Sequence, residues 1–235
     1  MTEHLFFDGV DLNDFGALPV FGNIYAAPER VYTSVEVPGR SGALIIDDGQ
    51  FSNVARSWDV VFSGPLAPGN AARLRTFLMS RPGYRRIEDT LHKDEFYLGA
   101  FRGALENGIK DTVRFIRYTL EFDCKPQRFL KAGEQVRTFT AAGAMENPEP
   151  TTAKPLIRVY GAGDLTVNGE TITVAASANN YIDLDSETED AYCGAVNCNG
   201  LVTLTDFPVL GPGENVITPG AGITRVKIKP RWWRL

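Results

Sequence analysis

Apolar residues recur at every second position through much of the chain. Over residues 113–124, Ile116, Tyr118, Leu120, Phe122 and Cys124 fall on one side, while Arg117, Thr119, Glu121 and Asp123 fall on the other. That is the pattern of a strand with one buried face. Residues 86–89 and 96–102 bracket Leu91-His92-Lys93-Asp94 as a hairpin, and Asp8-Gly9 and Asp48-Gly49 offer further turns. The later sequence predicts short strands over 156–160, 165–167, 171–174, 181–184, 201–204 and 224–228. Asn168-Gly169 joins two of them, a dipeptide suited to a two-residue hairpin because both positions need positive φ. One helix is expected. It starts with Asn70 as N-cap, carries Leu74, Phe77 and Leu78 on one face and stops at Arg81-Pro82-Gly83. The second half predicts none, so the chain reads as mainly β: an N-terminal β-sandwich with one short helix, followed by a C-terminal jelly-roll or β-sandwich.

Charge changes along the chain. Residues 1–131 carry 16 basic and 17 acidic side chains, residues 132–224 carry 3 and 12, and residues 225–235 carry 5 and none. Between the halves, Asn147-Pro148-Glu149-Pro150-Thr151-Thr152-Ala153-Lys154-Pro155 has three prolines in nine residues, which excludes helix and favours an extended connector. The expected division is therefore 1–131, a connector at 132–153, and 154–235.

Composition narrows the function classes. In 235 residues, 43% are hydrophobic and 23% charged, the balance of a folded globular chain. A net charge of −5 argues against a dedicated duplex-DNA binder. The N-terminal residues lack the basic and apolar regions of a secretory signal, and no apolar run has the length of a membrane span. Neither export by that route nor a membrane partner is expected. Cys124, Cys193 and Cys198 are too few for a disulfide framework and point to a reducing compartment during folding, although Cys193 and Cys198 are near enough in sequence to pair under oxidant.

Catalytic chemistry is thinly supplied. His4 lies near the terminus and His92 in the expected hairpin loop, both read as solvated. Ser41 in Pro38-Gly39-Arg40-Ser41-Gly42 lacks the spacing of a hydrolase nucleophile elbow and reads as a turn. The acids between Asp183 and Asp190 fail the EF-hand pattern, with Thr188 where Gly is needed and Gly194 where the bidentate acid belongs, and read as a solvated loop. Cys193 and Cys198 are too widely spaced for a zinc knuckle and have no second ligand pair. Gly161-Ala162-Gly163 precedes a strand, so it is a turn and not a phosphate loop. The tail from Arg225 to Leu235 mixes cations with Trp232 and Trp233. That composition suits single-strand stacking, yet it also alternates as an edge or half-exposed strand whose tryptophans anchor a core or a subunit contact. No catalytic residue, cofactor site or metal site is expected.

The order of several motifs resembles the phage distal tail protein (Dit) family. The first are Phe6-Phe7-Asp8-Gly9-Val10-Asp11-Leu12-Asn13-Asp14-Phe15-Gly16, then Val35-Glu36-Val37-Pro38-Gly39-Arg40-Ser41-Gly42-Ala43-Leu44, then Phe122-Asp123-Cys124-Lys125-Pro126. Downstream follow Lys154 to Gly163, Val167-Asn168-Gly169, Tyr181-Ile182-Asp183-Leu184-Asp185, Phe207 to Val216 and the last strand. The resemblance implies a structural, non-enzymatic virion component at the tip of a long non-contractile tail, assembled in the host cytoplasm. It implies a homo-oligomeric ring, a hexamer, whose partners are the tail tube protein above and tail-tip or receptor-binding proteins below. DNA would pass through without specific binding, and the C-terminal domain would be galectin-like. Candidates for the subunit interface are Phe6, Phe7, Phe15, Phe21, Trp232 and Trp233. The rival reading is a carbohydrate-binding module of the adsorption apparatus, using Tyr160, Tyr181, Tyr192 and Phe207 with the acids of 183–190.

Overall fold

A computed structural model describes residues 3–20, 26–103, 105 and 115–235. The chain divides into two compact units, Met1–Arg128 with Leu235, and Phe129–Arg234.

The first unit contains β1 (Leu5–Phe7), β2 (Val10–Asp11), β3 (Leu18–Val20), β4 (Arg30–Glu36), β5 (Ala43–Phe51), β6 (Val54–Ser63), α1 (Ala67–Met79), β7 (Arg85–Asp89), β8 (Glu95–Phe101) and β9 (Phe115–Cys124). Seven of these strands lie side by side in an antiparallel sheet, in the order β2-β1-β7-β8-β9-β6-β3. Its longest pairing joins β6 to β9, from Val54 opposite Cys124 to Ser63 opposite Phe115. The period-two pattern places Trp58, Val60 and Phe62 of β6 and Ile116, Leu120, Phe122 and Cys124 of β9 on the buried face. There Ala67, Ala71, Leu74 and Leu78 of α1 join the same core. The helix begins three residues before the expected Asn70 cap. Pro68 sits in its first turn, where the missing N–H costs no intrahelical bond.

Asp8-Gly9 is the tight turn expected, with both residues at positive φ and Phe7 paired with Val10. Asp48-Gly49 is instead a bulge inside β5, where the register jumps from Tyr32 opposite Asp47 to Val31 opposite Gln50. His4 stays partly exposed but is not free, since its Nδ1 lies 2.6 Å from Asp11 Oδ2. His92 is largely covered, and its Nδ1 lies 3.1 Å from Asp89 Oδ1.

The division between units falls within β10 (Arg128–Leu130). The second unit continues through β11 (Arg137–Phe139), β12 (Gly143–Asn147), β13 (Leu156–Gly161), β14 (Gly163–Val167), β15 (Glu170–Val174), β16 (Tyr181–Asp185), β17 (Asp190–Cys193), β18 (Val196–Asn197), β19 (Val202–Thr203), β20 (Gly213–Pro219), β21 (Ile223–Lys229) and β22 (Trp233–Arg234). Two antiparallel sheets, β11-β21-β13-β16-β17-β18 and β12-β20-β14-β15-β19, enclose one core. The first sheet contributes Ile157, Val159, Ile182, Leu184, Val226 and Ile228 to it; the second contributes Leu165, Val167, Ile172, Val174 and Ile217. This is a β-sandwich.

The segment 132–153, expected as a connector, contains two strands of this sandwich: β11 pairs with β21 and β12 with β20. The prolines end β12 without separating domains. The side chain of Asn147 ties the loop down, donating to the Thr151 carbonyl at 2.8 Å and accepting from the Glu149 N–H at 3.1 Å. Asn168-Gly169 forms the expected hairpin between β14 and β15. Gly161 and Gly163 have a different purpose from a simple turn. A Cβ at either position would lie 2.2 or 2.1 Å from the carbonyl oxygens of Gly222 and Ala221, so two backbones cross where no side chain fits.

Candidate assembly surfaces

The ribbon of β4 and β5 is the most exposed regular structure in the first unit. Its tip is Val37-Pro38-Gly39-Arg40, where Pro38 presets φ, Gly39 takes φ of 81° and Arg40 N–H donates to the Val37 carbonyl at 3.1 Å. Neither outer edge pairs with another strand among the described residues. Residues paired across a ribbon share a face. One face carries Val31, Thr33, Val35 and Val37 from the β4 side with Leu44, Ile46 and Gln50 from β5. Its paired residues carry no charge, with Asp48 in the bulge between Ile46 and Gln50, and Leu44 is 44% exposed and Ile46 49%.

The opposite face carries Arg30, Tyr32, Ser34 and Glu36 with Ala43, Ile45, Asp47 and Phe51. Arg30 lies over the Phe51 ring at 4.7 Å and pairs with Asp47 at 2.5 Å. The Gly49 N–H, then the Arg30 guanidinium, hold the Asp47 carboxyl below its usual value. The ion pair of the ribbon is thus on this second face, which also exposes Tyr32 and Ile45, while the first face is aliphatic at Val35, Val37, Leu44 and Ile46. Of these residues only Val35, Glu36, Val37, Ala43 and Leu44 belong to the motif that carries the family resemblance. The signal was present in the alternation Val31, Thr33, Val35, Val37 with no helix or sheet predicted to cover it.

The aromatic candidates are placed differently. Phe7 is fully buried between Phe77 and Phe122, so its ring already belongs to the subunit core. Phe6 is half-buried and stacks on His4. Phe15 is half-buried against Phe77, with Arg73 over its ring at 5.5 Å. Phe21 lies outside the described residues. Trp232 is 5% exposed, and its carbonyl accepts from the Leu130 N–H at 2.8 Å; Trp233 is half-buried and donates Nε1–H to the Thr152 carbonyl at 2.9 Å. The two tryptophans fasten the last strand inside the second unit. That internal role leaves Phe7 and Trp232 no surface for a subunit contact. β21 itself is a central strand, half-exposed on one face, and not an edge.

In the second unit the acidic run is solvated only in part: Glu187, Glu189 and Asp190 are exposed. Asp183 and Asp185 are buried on β16, paired with Arg158 and Arg231. Tyr160 and Tyr181 come together, with ring centroids 6.0 Å apart, and Tyr192 lies opposite Asp183 in the same sheet. Phe207 packs partly against the core elsewhere. Cys124, Cys193 and Cys198 are free and buried. Among the described residues no group of three or more His, Cys, Asp or Glu side chains could hold a metal ion, and no helix is long and apolar enough to cross a membrane.

No family model matches the chain. No curated protein matches it either. Solved structures do match over almost its whole length. The structure of SPP1 Dit, described as a paradigm of the hub adsorption apparatus in phages infecting Gram-positive hosts, aligns with a TM-score of 0.68 at 17% identity, covering 97% of this chain and 98% of that one. A chain of the phage P2 baseplate in its activated conformation with Ca aligns at 0.55 and 8% identity, covering 97% and 98%. A chain of the same baseplate with Sr aligns at 0.52 and 7% identity, covering 96% and 97%. The chain therefore has the fold of phage hub and baseplate proteins.

Proposed function

We propose that this protein is a structural hub of a phage tail tip, in which copies of the chain form a ring by setting the apolar ribbon face of one subunit against the next. The observation that carries this reading is that ribbon. An isolated two-stranded hairpin is marginal in water. This one exposes Val35, Val37, Leu44 and Ile46 to solvent on one face, the mark of an interaction surface. Set against a different surface of the next copy, the ribbon makes a head-to-tail contact. Repeated around an axis, such a contact closes into a ring or continues as a filament.

The shared fold with hub and baseplate proteins favours the ring, and the resemblance in motif order implies six subunits around a passage for DNA. The near-neutral balance of residues 1–131 is compatible with passage without tight binding, whereas the net −9 of residues 132–224 discourages contact with DNA. The tail tube and the tip proteins are the partners proposed above and below. The role is non-enzymatic.

Negative-stain images of the purified protein test the reading. Closed rings with a central opening are the expected result. Open filaments, or particles of single-subunit size at every concentration, would overturn it.

A further inference from the structure

The outer face of the six-stranded sheet carries a feature that the hub role does not use. The residues of β21 that point away from the core are Arg225, Lys227 and Lys229, two residues and roughly 6.6 Å apart along the strand. Beside them β13 presents Leu156, Arg158 and Tyr160, in register with Lys229, Lys227 and Arg225. β16 adds Tyr181, Asp183 and Asp185. A strongly cationic row thus lies within the acidic half of the chain.

The ion pairs on this face do not exhaust its cations. Arg158 is committed to Asp183 through two bonds of 2.7 Å, and Lys229 to Glu134 at 3.1 Å. Arg231 is committed to Asp185. Arg225 and Lys227 have no carboxylate partner among the described residues. Their nearest recorded neighbour is an aromatic ring: Arg225 stacks on Tyr160 at 4.0 Å and Lys227 lies 5.9 Å from the same ring. The Arg225 Nε–H is moreover covered and has no acceptor. Burial pushes the Tyr160 phenol up, but the hydrogen bond with Arg158 and the charges of Lys227 and Arg225 outweigh it and bring the phenol below its ordinary value. Next to these cations an open depression of about 320 Å³ is walled by Val136, Leu156, Arg158, Asp183, Lys227 and Lys229.

We propose that this face binds an acidic polysaccharide, with carboxylates held by Arg225 and Lys227 and the C–H face of a sugar set on Val136 and Leu156. The stacked rings hold the cations in place before the ligand arrives, which lowers the ordering cost of binding. Arg158, held in place by the buried Asp183, retains outward N–H groups for sugar hydroxyls. An acidic peptide suits the site less well. β21 is paired on both sides, so an extended peptide could not add to the sheet and its backbone groups would lack ladder partners. The ligand is therefore anionic, and the acids between 183 and 190 do not bind it.

Isothermal titration of the full-length protein with a short oligogalacturonide tests the site, with neutral dextran and poly-glutamate as comparison probes. Saturable binding to the oligogalacturonide that weakens as salt is raised, with no heat from dextran, is the expected result. Arg225→Ala with Lys227→Ala should weaken it about tenfold or more, as loss of two charge-assisted contacts requires. Lys93→Ala, an exposed cation of the first unit, should leave it unchanged. Should the double variant fold poorly, Lys227→Glu alone provides the same comparison. The proposal is overturned if the oligogalacturonide gives no saturable heat, if the variants bind like the parent, or if poly-glutamate binds as tightly, which would mark the face as a protein contact.

Discussion

Arg158 on β13 and Asp183 on β16 face each other across the sheet as a bidentate pair, Nε and Nη2 each 2.7 Å from a carboxylate oxygen. The carboxylate is buried and the guanidinium lies partly in water, stacked over Tyr181 at 4.3 Å. Removing the acid leaves a cation on a face that is already positive. Asp183→Ala is expected to lower the unfolding free energy by about 1–3 kcal/mol, read from the urea midpoint, the range for breaking a partly buried charged pair. A midpoint equal to the parent's would show that water replaces the carboxylate at no cost.

Asp185 gives the acid side of the stability curve. Burial raises its carboxyl, but the hydrogen bond from Arg231 and the N–H groups of Glu187 and Thr188 outweigh it, so the folded value lies below 3.8. A depressed carboxylate contributes stability that is present above the unfolded pKa and is lost as pH falls through the folded one. Thermal melts of the parent should therefore lose stability below about pH 4, and Asp185→Asn should flatten part of that fall while lowering Tm at neutral pH. An Asp185→Asn curve parallel to the parent's at every pH would contradict the pairing.

The close crossing at Gly163 predicts a large effect from one methyl group. With φ at 148° and an added Cβ 2.1 Å from the Ala221 carbonyl oxygen, Gly163→Ala forces the two strands apart. A loss of about 2–4 kcal/mol is expected, the range for overpacking combined with backbone strain. At Gly169, where nothing lies near an added Cβ, the same substitution meets only the cost of positive φ, about 1 kcal/mol. Equal losses at the two sites would remove the distinction between crossing and turn.

Burial pushes the Cys124 thiol up to about 12. Thiolate is the reactive form, so the native protein at pH 8 should leave Cys124 unmodified by iodoacetamide over hours, and denaturant should expose it at once. Modification in the native state would show that the β9 end of the core opens readily.

Much of this architecture could be read from residue order. The alternation in β9, the helix face of Leu74 and Leu78, and the Asn168-Gly169 hairpin are local patterns, and they appear where local physics puts them. Residues whose fate depends on distant partners were harder to read. The prolines after Asn147 suggested a connector because β11 and β12 are short and find their partners, β21 and β20, some 70 to 90 residues later. Asp183 and Asp185 read as loop acids because Arg158 and Arg231, which neutralise them, are far away in sequence. Phe7 and Trp232 were plausible contact anchors on composition alone, and only packing shows that the subunit uses them internally.

The most direct test of the central claim is native mass, measured for the full-length protein and for Leu44→Glu with Ile46→Lys in parallel. Both substituted side chains are about half exposed and belong to neither core cluster, so each costs the folded subunit little, within about 0.5 kcal/mol. In an assembly each covers roughly half an aliphatic side chain, about 1 kcal/mol per residue, repeated at every contact. The account predicts a parent at a multiple of the 25.8 kDa subunit and a folded variant at the mass of one subunit. A variant that assembles as the parent does would contradict it.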